Sequence, residues 1–353
     1  MEPNPPQPCL RTGDTGDDVL DVQARLISLG YPIAPDERGT IGPQTLSAVK
    51  AFQVRRGLNP DGLVERLTWR ELVEAGWTLG SRMLYLRRPA MRGDDVRDLQ
   101  VRLNALGFDA GKEDGILERD TDRAVREFQT NAGLPADGIV GRDTVEELNR
   151  LRRRIGPGSK AALRERIARE EAVGLAGRTI YLDPGHGGRD AGILTSPGIP
   201  ESYVVYRVAQ ATADHLSRAG ASPLLSRAVQ QGPDVDHRTE QANTAGADIA
   251  VSFHFACRPE PGPTVAFWSV ERRFSEMGRD LADSVGQHLR TPLGRGVQVL
   301  GRNLPFLRQT AMPAVQIDLA CPGTEPLLEE DPYLHSLGEA VGQAVSEYFG
   351  ATL

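Results

Sequence analysis

Cysteine is scarce in this chain: 353 residues carry three, Cys9, Cys257 and Cys321. So small and odd a set argues against a disulfide framework and fits a reducing compartment. Long apolar runs are missing as well, since no stretch approaches the roughly 20 residues of a membrane span. Nor is there an excess of positive charge. The formal net charge is -7 and the arginines are scattered among acids, which leaves nucleic-acid binding and anionic membrane binding without support. The opening run Met1-Glu-Pro-Asn-Pro-Pro-Gln-Pro-Cys9 has neither the basic segment nor the apolar stretch of about 7–15 residues that a secretory signal needs. The chain as it stands is therefore expected in the cytoplasm.

What is present is ordinary soluble protein, with 39% apolar and 25% charged residues. The length exceeds what one core organises, so two or three domains are expected. A repeat dominates the first half. Gly16-Asp-Asp-Val19 with Gln23, Leu26, Leu29 and Gly30 returns as Gly93-Asp-Asp-Val96 with Gln100, Leu103, Leu106 and Gly107. Ala48-Val-Lys-Ala-Phe-Gln53, Gly57-Leu58, Asp61-Gly62 and Thr68 return as Ala124-Val-Arg-Glu-Phe-Gln129, Gly133-Leu134, Asp137-Gly138 and Thr144. In each copy Val19, Leu26 and Leu29, or their counterparts, fall on one helical face, and Val49 with Phe52 on another. The two Asp-Gly pairs mark turns, and Thr68 and Thr144 suit the start of a last helix. Two small all-α domains of three helices each are expected, over 11–78 and 86–152.

Gly156-Pro-Gly158 then breaks the chain, and the mixed charges from Lys160 to Glu171 suggest a solvated linker helix within 153–176. From Gly177 the texture changes. Apolar runs at 179–182, 223–225, 248–255, 264–270, 297–300 and 314–320 alternate with helical patterns near 201–219, 237–245, 274–290 and 334–349. That alternation predicts an α/β domain over 177–350, a largely parallel sheet covered by helices on both faces. Ligands of such sheets gather beyond the carboxyl ends of the strands.

Two histidines stand at such ends. His186 follows the apolar strand in Thr179-Ile-Tyr-Leu-Asp-Pro-Gly-His-Gly-Gly-Arg-Asp190, and His254 ends Ala250-Val-Ser-Phe-His254. Glu201 opens a helical stretch between them. Two imidazoles and a carboxylate from three separate elements can hold zinc with a fourth position left for water, the arrangement of a catalytic site. His215, His237, His288 and His335 lack such a setting and read as ordinary surface residues. Cys257 and Cys321 each follow a site residue by three positions, which on a strand turns them to the opposite face; free cysteine is commonly a small buried apolar residue.

These residues carry two resemblances. The repeats resemble the peptidoglycan-binding domain of the three-helix type, through Gly-Asp-x-Val-x-x-Leu-Gln-x-x-Leu, Ala-Val-x-x-Phe-Gln and Asp-Gly-Ile-Val-Gly-x-x-Thr. The second copy has every position, whereas the first has Val22 for a leucine and Glu65 for the last glycine. Most motif positions are core or turn positions, so binding of glycan or stem peptide is implied by resemblance alone. Residues 177–350 resemble the zinc-dependent N-acetylmuramoyl-L-alanine amidases of the amidase 3 type. The matching series is Leu182-Asp-Pro-Gly-His-Gly-Gly188, Asp190, Glu201, Ser226-Arg227, Arg238, Ala242-Asn243, Ala247-Asp248, Ser252-Phe-His254, Leu307-Arg308 and Met312-Pro-Ala-Val315.

The resemblance implies that His186, Glu201 and His254 bind zinc, and that water is directed at the amide joining the lactyl group of N-acetylmuramic acid to L-alanine of the stem peptide. The family's proton-handling glutamate falls in Pro-Ala-Val-x-x-Glu-x-Gly-Phe, and Asp318 holds its place in Pro313-Ala-Val-Gln-Ile-Asp-Leu-Ala-Cys321. One methylene fewer withdraws the carboxylate by roughly 1.5 Å, and misplacement of about 1 Å can cost roughly 100-fold in rate. Asp318 is thus a slower acid/base, a strand-end hydrogen-bonding residue or a relic, with Glu325, Glu329 and Glu330 as more distant substitutes. Ala320 and Cys321 replace the usual Gly-Phe, and Ala256 stands where an asparagine commonly follows the second histidine. Asp190, Arg227 and Arg238 are expected to support the ligands or the local fold, with Arg238 anchoring a helix to a strand end.

The expected function is a zinc amidase acting on peptidoglycan, muropeptides or their precursors, tethered by two wall-binding modules. The layout also resembles cytoplasmic amidase-like regulators of precursor synthesis, for which the partner would be a precursor-synthesis enzyme and catalysis weak or absent. Export by a route not visible in the sequence would place the same activity in the cell wall.

Overall fold

A computed structural model describes residues 9–151, 174–195, 198–255, 262–270, 273–319 and 331–350. The expected linker helix falls almost wholly outside the described residues, as do Ala256, Cys257, Ala320, Cys321, Glu325, Glu329 and Glu330. The chain divides into two compact units, Met1–Arg164 and Glu165–Leu353. Among the described residues no helix is long and apolar enough to cross a membrane.

In the first unit each repeat forms three helices: α1 (Asp17–Ser28), α2 (Pro43–Arg56) and α3 (Arg66–Ala75), then α4 (Asp94–Ala105), α5 (Arg119–Asn131) and α6 (Arg142–Leu151). The apolar stripes make two separate cores, Val19, Val22, Leu26, Val49, Phe52 and Leu72 in one, Val96, Leu99, Leu103, Val125, Phe128 and Leu148 in the other. The repeated glutamines explain the repeated Asp-Gly and Thr. Gln53 donates to Asp61 Oδ1, the Leu63 carbonyl and Thr68 Oγ1, and accepts from the Gly62 N–H. Gln129 does the same with Asp137, Ile139, Thr144 and Gly138. Thr68 and Thr144 therefore serve as buried partners of these amides inside the first turn of their helices, rather than as caps.

Arg56 joins the repeats. Its buried guanidinium donates from Nε to Glu71 Oε2 at 2.8 Å and from Nη1 to both oxygens of Asp94, in the next repeat, at 2.9 Å. Burial opposes its charge, yet the facing carboxylates of Glu71 and Asp94 outweigh that and raise its pKa. Arg82 adds a second tie, reaching Asp95 and the Arg92 carbonyl with its guanidinium 4.2 Å from the Trp77 ring. Removing one partner of a buried ion pair strands the other charge, at about 3–5 kcal/mol. Arg56→Met in the full chain is expected to cost that much, read as lost hydrogen-exchange protection in α2 and α3; unchanged protection there would show the pair to be dispensable.

The second unit is an α/β layer structure. Its strands are β1 (Thr179–Pro184), β2 (Ser222–Leu225), β3 (Ile249–His254), β4 (Thr264–Val270), β5 (Arg273–Phe274), β6 (Gln298–Arg302) and β7 (Ala314–Asp318). Its described helices are α7 (Glu201–Arg218), α8 (Val235–Thr244), α9 (Glu276–Leu293), α10 (Pro305–Gln309) and α11 (Asp331–Tyr348). The sheet runs β2-β1-β3-β7-β4-β5, with β6 also paired to β4. β2, β1, β3 and β7 are mutually parallel, as expected, but β4 lies antiparallel to β7, so the sheet is mixed.

Side chains alternate across a strand, and here the alternation sorts the two faces. Ile180, Leu182, Val251, Phe253, Val315 and Ile317 pack beneath α7, α9 and α11. Tyr181, Ala250, Ala266, Trp268 and Ala314 meet Ala242, Phe306 and Leu307 of α8 and α10 on the other face. By the same parity Asp183, Ser252, His254, Gln316, Asp318 and Thr264 fall on this second face, toward the carboxyl ends of β1, β3 and β7.

Candidate metal centre

β1 ends at Pro184, and the chain turns sharply through Gly185 into His186, whose φ of 57° makes it the one non-glycine in the left-handed region among the described residues. Gly185 is required by proximity: a Cβ there would stand 2.2 Å from the His254 ring. A Cβ on Gly192 would likewise meet Glu201 at 2.7 Å and His186 at 2.8 Å. Both glycines were visible in the sequence, but their need for space beside the site was not.

Glu201 is the first residue of α7, where a carboxylate complements the helix dipole. It is fully buried. Backbone N–H groups orient it, Ile193 donating to Oε2 at 3.0 Å and Phe255 to Oε1 at 2.7 Å. His186 Nε2 lies 3.1 Å and His254 Nδ1 3.4 Å from that same Oε1. One ligand atom from each of the three residues falls within 4.8 Å of the others.

Asp190 holds His186 from behind, its Oδ2 2.8 Å from Nδ1. A donor role at Nδ1 leaves Nε2 with a lone pair turned on a carboxylate oxygen, which is repulsive unless a proton or a cation lies between. For a tetrahedral ion with metal–donor bonds of about 2.0–2.2 Å, donor atoms sit about 3.3 Å apart. The spacings at Glu201 Oε1 match that figure, and the His/Glu/His donor set is one that a divalent transition metal accepts.

In the metal-free protein burial works against a charged His186, but hydrogen bonds and charge from Glu201 and Asp190 outweigh it and raise the imidazole pKa. Burial also opposes ionisation of Glu201, yet hydrogen bonds from His186 and His254 hold its carboxyl well below the usual carboxylate range. A raised histidine stabilises the fold below its unfolded pKa of about 6.5, and that contribution is lost as pH rises through the folded value. The depressed Glu201 contributes above an unfolded pKa of about 4.3 and is lost only as pH falls through the folded one. As pH rises above the ordinary histidine value of about 6.5, then, it is the histidine of this pair that changes state, and its contribution to the metal-free melting temperature should be lost. The stabilisation from added zinc should grow over the same window, because a ligand imidazole must first lose its proton. Melting curves with and without zinc check both signs, and a metal-induced gain that shrinks with pH would contradict them.

The arginines grip backbone. Arg227 donates to the carbonyls of Pro184, Gly185 and Ser202. Arg238, on α8, donates to the His186 and Pro233 carbonyls and pairs with Asp183 at 3.4 Å, which is the expected link from a helix to a strand end. Asp318 is the register neighbour of His254 on one side and of Thr264 on the other. Its buried carboxylate accepts from Thr264 Oγ1 at 3.1 Å and from Gln316 Nε2 at 3.0 Å. It is not part of the three-residue cluster.

Asp183 and Ser252 stood in the matching series without an assigned role, and Thr264 and Gln316 were not singled out at all. An acid and hydroxyls within apolar strands were the further signal for Asp183, Ser252 and Thr264. Of the other histidines, His237 and His335 are exposed, whereas His215 is buried between α7 and α11, its Nδ1 2.8 Å from Glu339. A Cβ on Gly342 would touch its ring, so helix packing rather than surface placement accounts for it.

The family model for N-acetylmuramoyl-L-alanine amidase matches residues 180–347, and that for a peptidoglycan binding domain matches 15–72 and 92–148. N-acetylmuramoyl-L-alanine amidase CwlM of Mycobacterium tuberculosis is 35% identical over 331 residues, covering 88% of this chain and 81% of that protein. N-acetylmuramoyl-L-alanine amidase CwlL of Bacillus licheniformis is 33% identical over 163 residues, covering 40% of this chain and 45% of its own length. Among solved structures, an N-acetylmuramoyl-L-alanine amidase from Clostridium difficile 630 has a TM-score of 0.45 at 23% identity, over 50% of this chain and 99% of that one.

Proposed function

We propose that this chain, which belongs to the N-acetylmuramoyl-L-alanine amidase family, is a zinc hydrolase of the amide between the lactyl group of N-acetylmuramic acid and the L-alanine of a peptidoglycan stem peptide. The observation that carries this reading is the convergence of His186, Glu201 and His254 on one buried carboxylate oxygen, with spacings suited to a tetrahedral ion. Those three residues would hold the metal. A zinc ion held there would supply Lewis acidity toward the scissile carbonyl and toward water at neutral pH.

The remaining work falls to the chain itself. Asp190 fixes the His186 tautomer, and the N–H groups of Ile193 and Phe255 fix the Glu201 carboxylate. Asp318, next to His254 across the β3–β7 ladder, is the proton carrier, taking a proton from the attacking water and returning it to the leaving amine. Residues 177–350 form the catalytic domain; 11–78 and 86–152 are domains that tether it to peptidoglycan, raising local substrate concentration. Purified protein should contain about one zinc per chain and release stem peptide from muropeptides. Zinc-replete protein with no release would overturn the reading.

A second reading is favoured by the hydrogen bonds that engage Asp318 with Thr264 and Gln316. On it the protein is a regulator that binds precursors or a precursor-synthesis enzyme with little turnover. Specific binding of such an enzyme by zinc-loaded, inactive protein would favour it.

A further inference from the structure

A buried polar chain runs behind the ligands. Ser252 Oγ on β3 donates to Asp183 Oδ2 at 2.8 Å, Asp183 Oδ1 on β1 lies 3.4 Å from Arg238 Nη1, and Arg238 Nη2 donates to the His186 carbonyl at 2.8 Å. All three side chains are buried. Arg227 already occupies the preceding carbonyls, of Pro184 and Gly185, so the carbonyl of His186 itself falls to Arg238. That carbonyl belongs to a residue held at a φ of 57°, in a left-handed region that residues bearing a side chain seldom adopt.

We propose that Asp183 is a positioning residue: oriented by Ser252, it aims the Arg238 guanidinium at the His186 carbonyl and so locks the backbone that presents the His186 ring to its ligand position. The proposal rests on the reading of His186, Glu201 and His254 as a zinc site. Asp183 touches no reacting group. Its carboxylate spans β1 and β3, the strands that deliver His186 and His254, so the two imidazoles share one internal brace. The buried position of an acid directly after the apolar run Ile180–Leu182 is otherwise unfavourable unless it is paired.

The test is the zinc dissociation constant of the full chain, by competition with a chelator, alongside the melting temperature of the metal-free protein. Asp183→Asn and Arg238→Met are each expected to weaken zinc binding about 10–100-fold, the usual weight of a group that orients a ligand from behind. Arg238→Lys should recover part of the loss. Because the residues act in series, the double variant should lose no more than the worse single one. Ser252→Ala should show a smaller loss of zinc affinity with only a modest drop in the metal-free melting temperature, and decides the matter if the other variants do not fold. Wild-type affinity in folded Asp183→Asn or Ser252→Ala, or losses that multiply in the double variant, would overturn the proposal. His254→Ala distinguishes the underlying reading: if it binds zinc as wild type does, the site assignment itself fails.

Discussion

His254→Ala is expected to weaken zinc binding by far more than about 100-fold and to abolish release of stem peptide from muropeptides. Groups that merely orient a ligand are worth about 10–100-fold in affinity, so loss of a donor atom sets that range as a floor. The imidazole supplies one of the three convergent donors, and of the two ring nitrogens beside Glu201 Oε1 that of His186 alone would be left. Folding should survive, because the ring is partly exposed and the β3 backbone keeps its pairing with β1 and β7. Retained activity in this variant would remove the basis for a metal mechanism.

Asp318→Ala should lower turnover by about 10²–10⁴-fold, the usual contribution of a positioned acid/base, while leaving zinc affinity near wild type. Asp318→Glu should raise it. The aspartate carboxylate leans on Thr264 of β4, whereas His254 lies on β3 to the other side of β7. One further methylene extends its reach by roughly 1.5 Å, enough to matter where about 1 Å can be worth roughly 100-fold. A muropeptide digest with the three proteins in parallel decides. Equal rates in wild type and Asp318→Ala would assign proton transfer elsewhere, and no rate in any of them would leave binding as the function.

Much of this was legible in the amino-acid order because the periods are strong. The repeat gave the six described helices of the first unit, since Val19, Leu26 and Phe52 recur as Val96, Leu103 and Phe128 in equivalent cores. The strands carrying His186 and His254 stood out as apolar runs. Glu201 was named beside them as the acid that opens a helix between the two strands, a weaker signal because an acid at a helix start is common for electrostatic reasons alone; the family series strengthened it. The antiparallel setting of β4 was hidden, as an apolar run reads alike in either direction and hydrogen bonding decides its sense. α10 is five residues long, too short to display a helical period. The contacts of Asp183 and Gln316 depend on which strands lie side by side, which spacing along the chain does not reveal.

The Arg56 tie has a consequence for how the repeats meet a large polymer. Two modules on a slack tether can search separately and settle for sites at many separations. With Glu71 and Asp94 held on one buried guanidinium, the pair instead resembles a ruler: a target whose epitopes match its fixed spacing is engaged twice with little further ordering cost, and one that does not match is engaged once.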